Sequence, residues 1–77
     1  MKIKIVVADD HHLLRRAFVM MLQERQDFEV CAEAATGIEA LNAVQRHRPD
    51  ILFLDLQMPG MNGFEVLKNL YSHKTEV

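Results

Sequence analysis

Residues 1–77 predict an alternating α/β domain built on a parallel sheet, and the prediction rests on three observations. Apolar runs end abruptly in acid, Ile3–Ala8 at Asp9-Asp10 and Ile51–Leu54 at Asp55; each strand-like run is followed by a segment with apolar residues at three- and four-residue spacing; and the units are punctuated by Pro49 and Pro59-Gly60. Strand then helix, repeated, implies parallel strands joined by right-handed crossovers.

Ile3, Ile5, Val6, Val7 and Ala8 are short, mostly β-branched and bounded by charge, as a buried first strand reaching a wet edge would be. Leu14, Ala17, Phe18, Met21 and Leu22 then form a helical stripe, with Arg15, Arg16, Gln23 and Glu24 off it, so this stripe is expected to face inward. From Phe28 to Ala34 the pattern alternates: Phe28, Val30, Ala32 and Ala34 are expected on the covered face of an edge strand, Glu29, Cys31 and Glu33 on the wetter one. Thr36 and Glu39 fit a capping box that starts a second helix, whose stripe continues through Leu41 and Val44 and ends near His47, before Pro49. Ile51 to Leu54, apolar throughout, has the composition of a strand covered on both faces. Asn62 and Glu65 make a further cap pair, ahead of a third amphipathic helix through Phe64, Leu67, Leu70 and Tyr71.

Bulk properties narrow the function. The chain has 77 residues, enough for one small domain; 49% hydrophobic and 26% charged residues are proportions of an ordinary globular protein. A net charge of −2 argues against a nucleic-acid or anionic-membrane surface on this segment. The single Cys31 reads as a semi-buried structural thiol in a reducing, cytoplasmic compartment, and no apolar run approaches a membrane span or the core of a signal peptide.

In an open parallel sheet, ligands bind beyond the carboxyl ends of strands, where neighbouring strands send their helices to opposite faces. Asp9, Asp10 and Asp55 all stand at such ends, and strand order 2-1-3 would gather them in one crevice. Two like charges about 4 Å apart repel by roughly 4 kcal/mol at an effective dielectric of about 20, so the cluster calls for a proton or a cation. Oxygen ligands select a hard ion such as magnesium, which shares its coordination sphere with phosphate. A carboxylate beside such an ion can attack phosphorus in line, and Asp55 is the candidate nucleophile. Singly, each aspartate would be explained as a helix cap or strand terminus. Together, followed by Met58-Pro59-Gly60-Met61-Asn62-Gly63, they favour a site.

The acidic pair Asp9-Asp10, the run from Ile51 through Asp55 to Gly63, and Thr36-Gly37-Ile38-Glu39-Ala40-Leu41 resemble, in order and spacing, the receiver domain of bacterial two-component response regulators. Asp9-Asp10-His11-His12 and Leu14-Arg15-Arg16 are closest to the NarL/FixJ type, whose receivers usually precede a LuxR-type helix-turn-helix domain. The resemblance implies a flavodoxin-like fold, so the order 2-1-3 is shared with that family rather than read from these residues alone. It further implies phosphorylation of Asp55, magnesium ligation by Asp10 and Asp55, water-mediated ligation through Asp9, and a ligand from the backbone carbonyl of Gln57. A sensor histidine kinase would be the partner and transcription the output, with DNA contacted by another domain. The module is expected to be a phosphoacceptor rather than an enzyme, although it could catalyse its own phosphorylation from small donors.

The likeness spans residues 1–77 as an incomplete receiver: three strand-helix units, without strands four and five, helices four and five, or an output domain. Family members carry a Ser or Thr at the end of strand four and a Lys at the end of strand five, and neither lies in this sequence. The competing reading is a self-associating fragment that keeps the acidic crevice but does not switch, dimerising through the exposed third strand or through exposed helix faces. A magnesium-dependent phosphatase is disfavoured because His11-His12, not a turn rich in Gly and Thr, follows Asp9-Asp10. Adjacent His11 and His12 are read as solvent-facing or capping, Arg15 and Arg16 as solvated charges, and the methionines as packing.

Overall fold

The computed structural model describes residues 1–55 together with Glu65, Val66, Lys68 and Asn69. Along the chain run β1 (Ile3–Ala8), α1 (His12–Gln23), β2 (Phe28–Ala34), α2 (Gly37–His47) and β3 (Ile51–Leu54). All strand pairs are parallel, in the order β2-β1-β3. The expected topology and the edge position of β2 are therefore both present. Of the third helix, Glu65, Val66, Lys68 and Asn69 are helical, and its Phe64, Leu67, Leu70, Tyr71 stripe and Asn62 cap lie outside the described residues.

β1 is the spine, in keeping with its mostly β-branched composition. Ile5, Val6, Val7 and Ala8 are at most 2% exposed, and successive side chains supply opposite faces of the sheet. On one face Ile5 and Val7 pack with Val19 of α1, joined by Phe18, Leu22, Phe28 and Val30. On the other, Ala8, Ala34, Ala40 of α2 and Val66 form a second cluster with Leu52 and Leu54 against it. Small residues at Gly37 and Ala40 let α2 lie close to the alanines beneath it. Helix α1 thus covers one face, while α2 and Val66 lie on the other, which makes the gap between β1 and β3 the place where the connections diverge.

The helix boundaries have local causes. In α2 the Thr36 Oγ1 accepts the Glu39 N–H at 3.1 Å, and the Glu39 carboxylate accepts from the Ala35 N–H at 2.8 Å, one residue earlier than the ideal reciprocal bond. The helix stops at His47 because Arg48 turns left-handed, with φ of 48°, ahead of Pro49. At the head of α1, neither Asp9 nor Asp10 is the cap: His11 holds that position, and no side-chain capping bond is made.

Three expectations from periodicity are corrected. In α1, Leu14 and Met21 are 61% and 64% exposed, and the inward residues are Arg15, Phe18, Val19 and Leu22. The helix carries two overlapping apolar stripes, and the sheet selects the one centred on Val19, leaving Leu13, Leu14, Met20 and Met21 outward. In β2 the alternation fails halfway. The register with β1 shifts between Ile5 and Val6, so that Val30 faces Ile5 but Ala32, not Cys31, faces Val6. Cys31 is the extra residue of a bulge, its thiol reaching the Ile5 carbonyl at 3.4 Å. Beyond it Ala32 and Ala34 move to the α2 face, and Glu33 turns toward α1 in register with Val7. Strand β3, finally, is not covered throughout: Ile51 and Phe53 are 37% and 38% exposed, although Phe53 meets the Phe18 ring edge-on at 4.9 Å.

Candidate acidic site

The sheet ladder continues one residue beyond its strands and thereby builds the site. Asp55 donates its N–H to the Ala8 carbonyl at 2.9 Å, and Asp9 donates to the Ala34 carbonyl at 2.9 Å, so both aspartates are pinned beside the end of β1. Val7, Ala8, Asp9, Phe53, Leu54 and Asp55 line an open depression of about 280 Å³ there. The carboxylates of Asp9, Asp10 and Asp55 and the imidazole of His11 each offer a ligand atom, all within 4.8 Å of one another. The aspartate side chains are half-buried, at 24%, 31% and 25% exposure, and the imidazole is 68% exposed. Of the expected site residues, Asp9, Asp10 and Asp55 come together, whereas Gln57 lies outside the described residues.

His11 is the member that residue patterns undervalued. Its Nδ1 lies 2.8 Å from Asp9 Oδ1, 3.1 Å from Asp10 Oδ1 and 3.9 Å from Asp55 Oδ2. The hydrogen bond with Asp9, then the charges of Asp10, Asp9 and Asp55, raise its pKa above the ordinary 6.5. The Asp9 carboxyl is held below its usual range, mainly because the His11 N–H donates to it, with the imidazole and Arg15 assisting against partial desolvation. An imidazolium in the middle of the cluster is thus one physical answer to carboxylate crowding, and the signal for it was its place immediately after the acidic pair.

Arg15 and Glu33 also belong to the surroundings of the site and were not singled out by periodicity. The Arg15 side chain is only 10% exposed, donating from Nε to Glu33 at 3.0 Å and from a terminal nitrogen to the Asp9 carbonyl oxygen at 2.7 Å. Arg16 pairs with the second oxygen of Glu33. Neither link is visible without knowing where the β2 bulge falls.

The alternating parallel sheet is of the doubly wound class, and at its β1–β3 end, where that class places its ligands, stands an acidic cluster compatible with a divalent cation. The chain belongs to the response regulator receiver domain family, whose model matches residues 5–77. It is 55% identical over 56 residues to the oxygen regulatory protein NreC of Staphylococcus epidermidis, covering 73% of this chain and 26% of that protein. It is 45% identical over 65 residues to the transcriptional regulatory protein YhcZ of Bacillus subtilis, covering 84% of this chain and 30% of the relative. Among solved structures, the signal receiver domain of NarL from Mycobacterium tuberculosis superposes with a TM-score of 0.91 at 38% identity, over 95% of this chain and 59% of that one. A LuxR-family DNA-binding response regulator from Staphylococcus aureus gives 0.87 at 32% identity, over 94% and 60%. The NarL/LuxR kinship expected from Asp9 to Arg16 is therefore present, and the chain spans less than a third of the curated relatives it matches. No helix among the described residues is long and apolar enough to cross a membrane.

Proposed function

We propose that the chain forms the first three strand-helix units of a phosphoacceptor receiver, with Asp55 as the acceptor. The observation that carries this reading is the convergence of Asp9, Asp10 and Asp55 at the carboxyl end of two adjacent parallel strands, in a chain of this family. A carboxylate oxygen of Asp55 attacks phosphorus of a phosphohistidine or small acyl phosphate. The bond from phosphorus to the donor's leaving atom breaks, the electron pair departs with the leaving group, and an aspartyl phosphate results.

The donor set fits a magnesium ion. Three carboxylates, of which Asp9 and Asp55 line the open depression, supply hard oxygen ligands and leave room for water and phosphate oxygens. Asp10 and Asp55 would hold the ion directly and Asp9 through water, with the carbonyl of Gln57 as a further ligand. Magnesium bound there would neutralise charge on the phosphoryl oxygens. Meanwhile the ladder bonds of Asp9 and Asp55 keep the acids in place, and Phe53 and Leu54 give the depression an apolar wall.

The phosphoryl source in this reading is a sensor histidine kinase. The output is transcription, through a DNA-binding domain outside this segment, by analogy with the transcriptional regulatory protein of Bacillus subtilis and the DNA-binding LuxR-family regulator of Staphylococcus aureus. A cytoplasmic setting suits the lone thiol and the kinase partner. The test is treatment with acetyl phosphate and magnesium followed by mass spectrometry of the chain. Labelling of the parent and its loss in Asp55→Asn is expected, and labelling that persists in Asp55→Asn overturns the assignment.

A second reading, self-association of these residues, is favoured by the exposed apolar side chains on β3 (Ile51, Phe53) and α1 (Leu13, Leu14, Met20, Met21). Sedimentation at high concentration tests it: a dimer supports the reading, and a monomer removes it.

A further inference from the structure

Arg15 ties three parts of the molecule together at the base of the acidic cluster. From α1 its guanidinium reaches Glu33 on β2 at 3.0 Å and the backbone carbonyl of Asp9, between β1 and α1, at 2.7 Å, and it also meets the His12 ring at 3.0 Å. Glu33 is available to it only because the bulge at Cys31 turns that side chain onto the α1 face. The Asp9 peptide groups are consequently held from both directions. Its N–H is fixed to the Ala34 carbonyl, its C=O to Arg15, and its side chain to the His11 N–H.

We propose that Arg15 is a positioning residue for the cation site: by holding the Asp9 carbonyl it sets the plane of the Asp9–Asp10 peptide, and with it the direction in which the Asp10 carboxylate leaves the chain. Rotation of that peptide would swing Asp10 away from Asp55, because Asp10 is attached through it. The forked guanidinium suits the task, since it donates to the carbonyl and the carboxylate at once from a rigid plane, whereas a lysine ammonium on the same stem would serve one of them well. Glu33 in turn holds the fork, and is the reason Arg15 can be 10% exposed while charged. The inference rests on reading the acidic depression as a magnesium site.

The experiment is calorimetric titration of magnesium into the chain and its Arg15→Ala, Arg15→Lys, Glu33→Gln and Asp10→Asn variants. The Asp10 amide resonance of each metal-free protein is recorded alongside. A supporting group of this kind is expected to be worth about tenfold in affinity. Arg15→Ala should therefore bind magnesium about tenfold more weakly and shift the Asp10 amide, with Arg15→Lys recovering part of the loss. Glu33→Gln should weaken binding less, and add little when combined with Arg15→Ala. A merely structural tie would lower the thermal midpoint and leave the affinity of the folded molecules and the Asp10 resonance unmoved, which overturns the proposal. If Arg15→Ala does not fold, Arg15→Lys decides: parental affinity with an unshifted Asp10 amide overturns it. The Asp10→Asn variant separates the two levels. Weak binding there with parental binding in the Arg15 variants sinks the positioning role alone, whereas parental binding in Asp10→Asn sinks the site, and this inference with it.

Discussion

The two ends of the same sheet treat their aspartates in opposite ways. At the amino end Asp50 and Asp27 each have a partner of their own: Asp50 accepts the Lys4 N–H at 2.8 Å, the Lys4 ammonium is occupied by the His47 carbonyl at 2.7 Å, and Asp27 sits against Arg25. At the carboxyl end Asp9, Asp10 and Asp55 crowd around one imidazole. Both ends hang from β1, so the difference does not come from the backbone scaffold. It comes from which side chains the strand ends present, and it teaches that the amino end is built to satisfy charge locally while the carboxyl end concentrates charge that a cation can relieve.

The harshest way to break the comparison is to remove the shared scaffold. Ile5→Ala, deleting a fully buried side chain in β1, should cost about 2–5 kcal/mol by urea denaturation and abolish both ends in one transition. Survival of the amino-end contacts after loss of the acidic cluster would show that the ends are independent. Next, Asp10→Asn should weaken magnesium binding by about tenfold or more, because a ligand should count for no less than the groups that support it. Asp50→Asn, the matching change at the opposite end, should leave that affinity unaltered by the same calorimetry. Its effect belongs to stability: weakening the bond to the Lys4 N–H should lower the unfolding free energy by about 1 kcal/mol.

The smallest effect is a pH dependence near neutrality at the carboxyl end. Because the acids raise the His11 pKa in the folded state, the stabilisation from its protonated form is fully present below the unfolded value of 6.5 and is lost as pH rises through the higher folded value. Nuclear magnetic resonance titration should find His11 above 6.5, and Asp9→Asn should bring it down, since the Asp9 hydrogen bond is the largest contribution. An unchanged midpoint in that variant would mean that the cluster does not act on His11 as a unit.

Strings of neighbouring residues were enough to place the elements and the acids. The β-branched run before Asp9, the Thr36–Glu39 pair and the Arg48-Pro49 stop are local, and each appears where its chemistry puts it. So does the meeting of Asp9 and Asp55, once parallel strands are joined in the order β2-β1-β3. His11 was underestimated because helix-face reasoning ignores the connection preceding the helix.

What the sequence alone determined was the order of elements and the acidic tips of β1 and β3, because these depend on side-chain type within a few residues. The tertiary structure decided which of two apolar stripes on α1 turns inward, that Cys31 bulges, and that Glu33 therefore meets Arg15. Those choices depend on how β2 registers against β1 and what surface the sheet then offers. A one-residue shift in pairing sends every later side chain to the opposite face, and no local pattern records it.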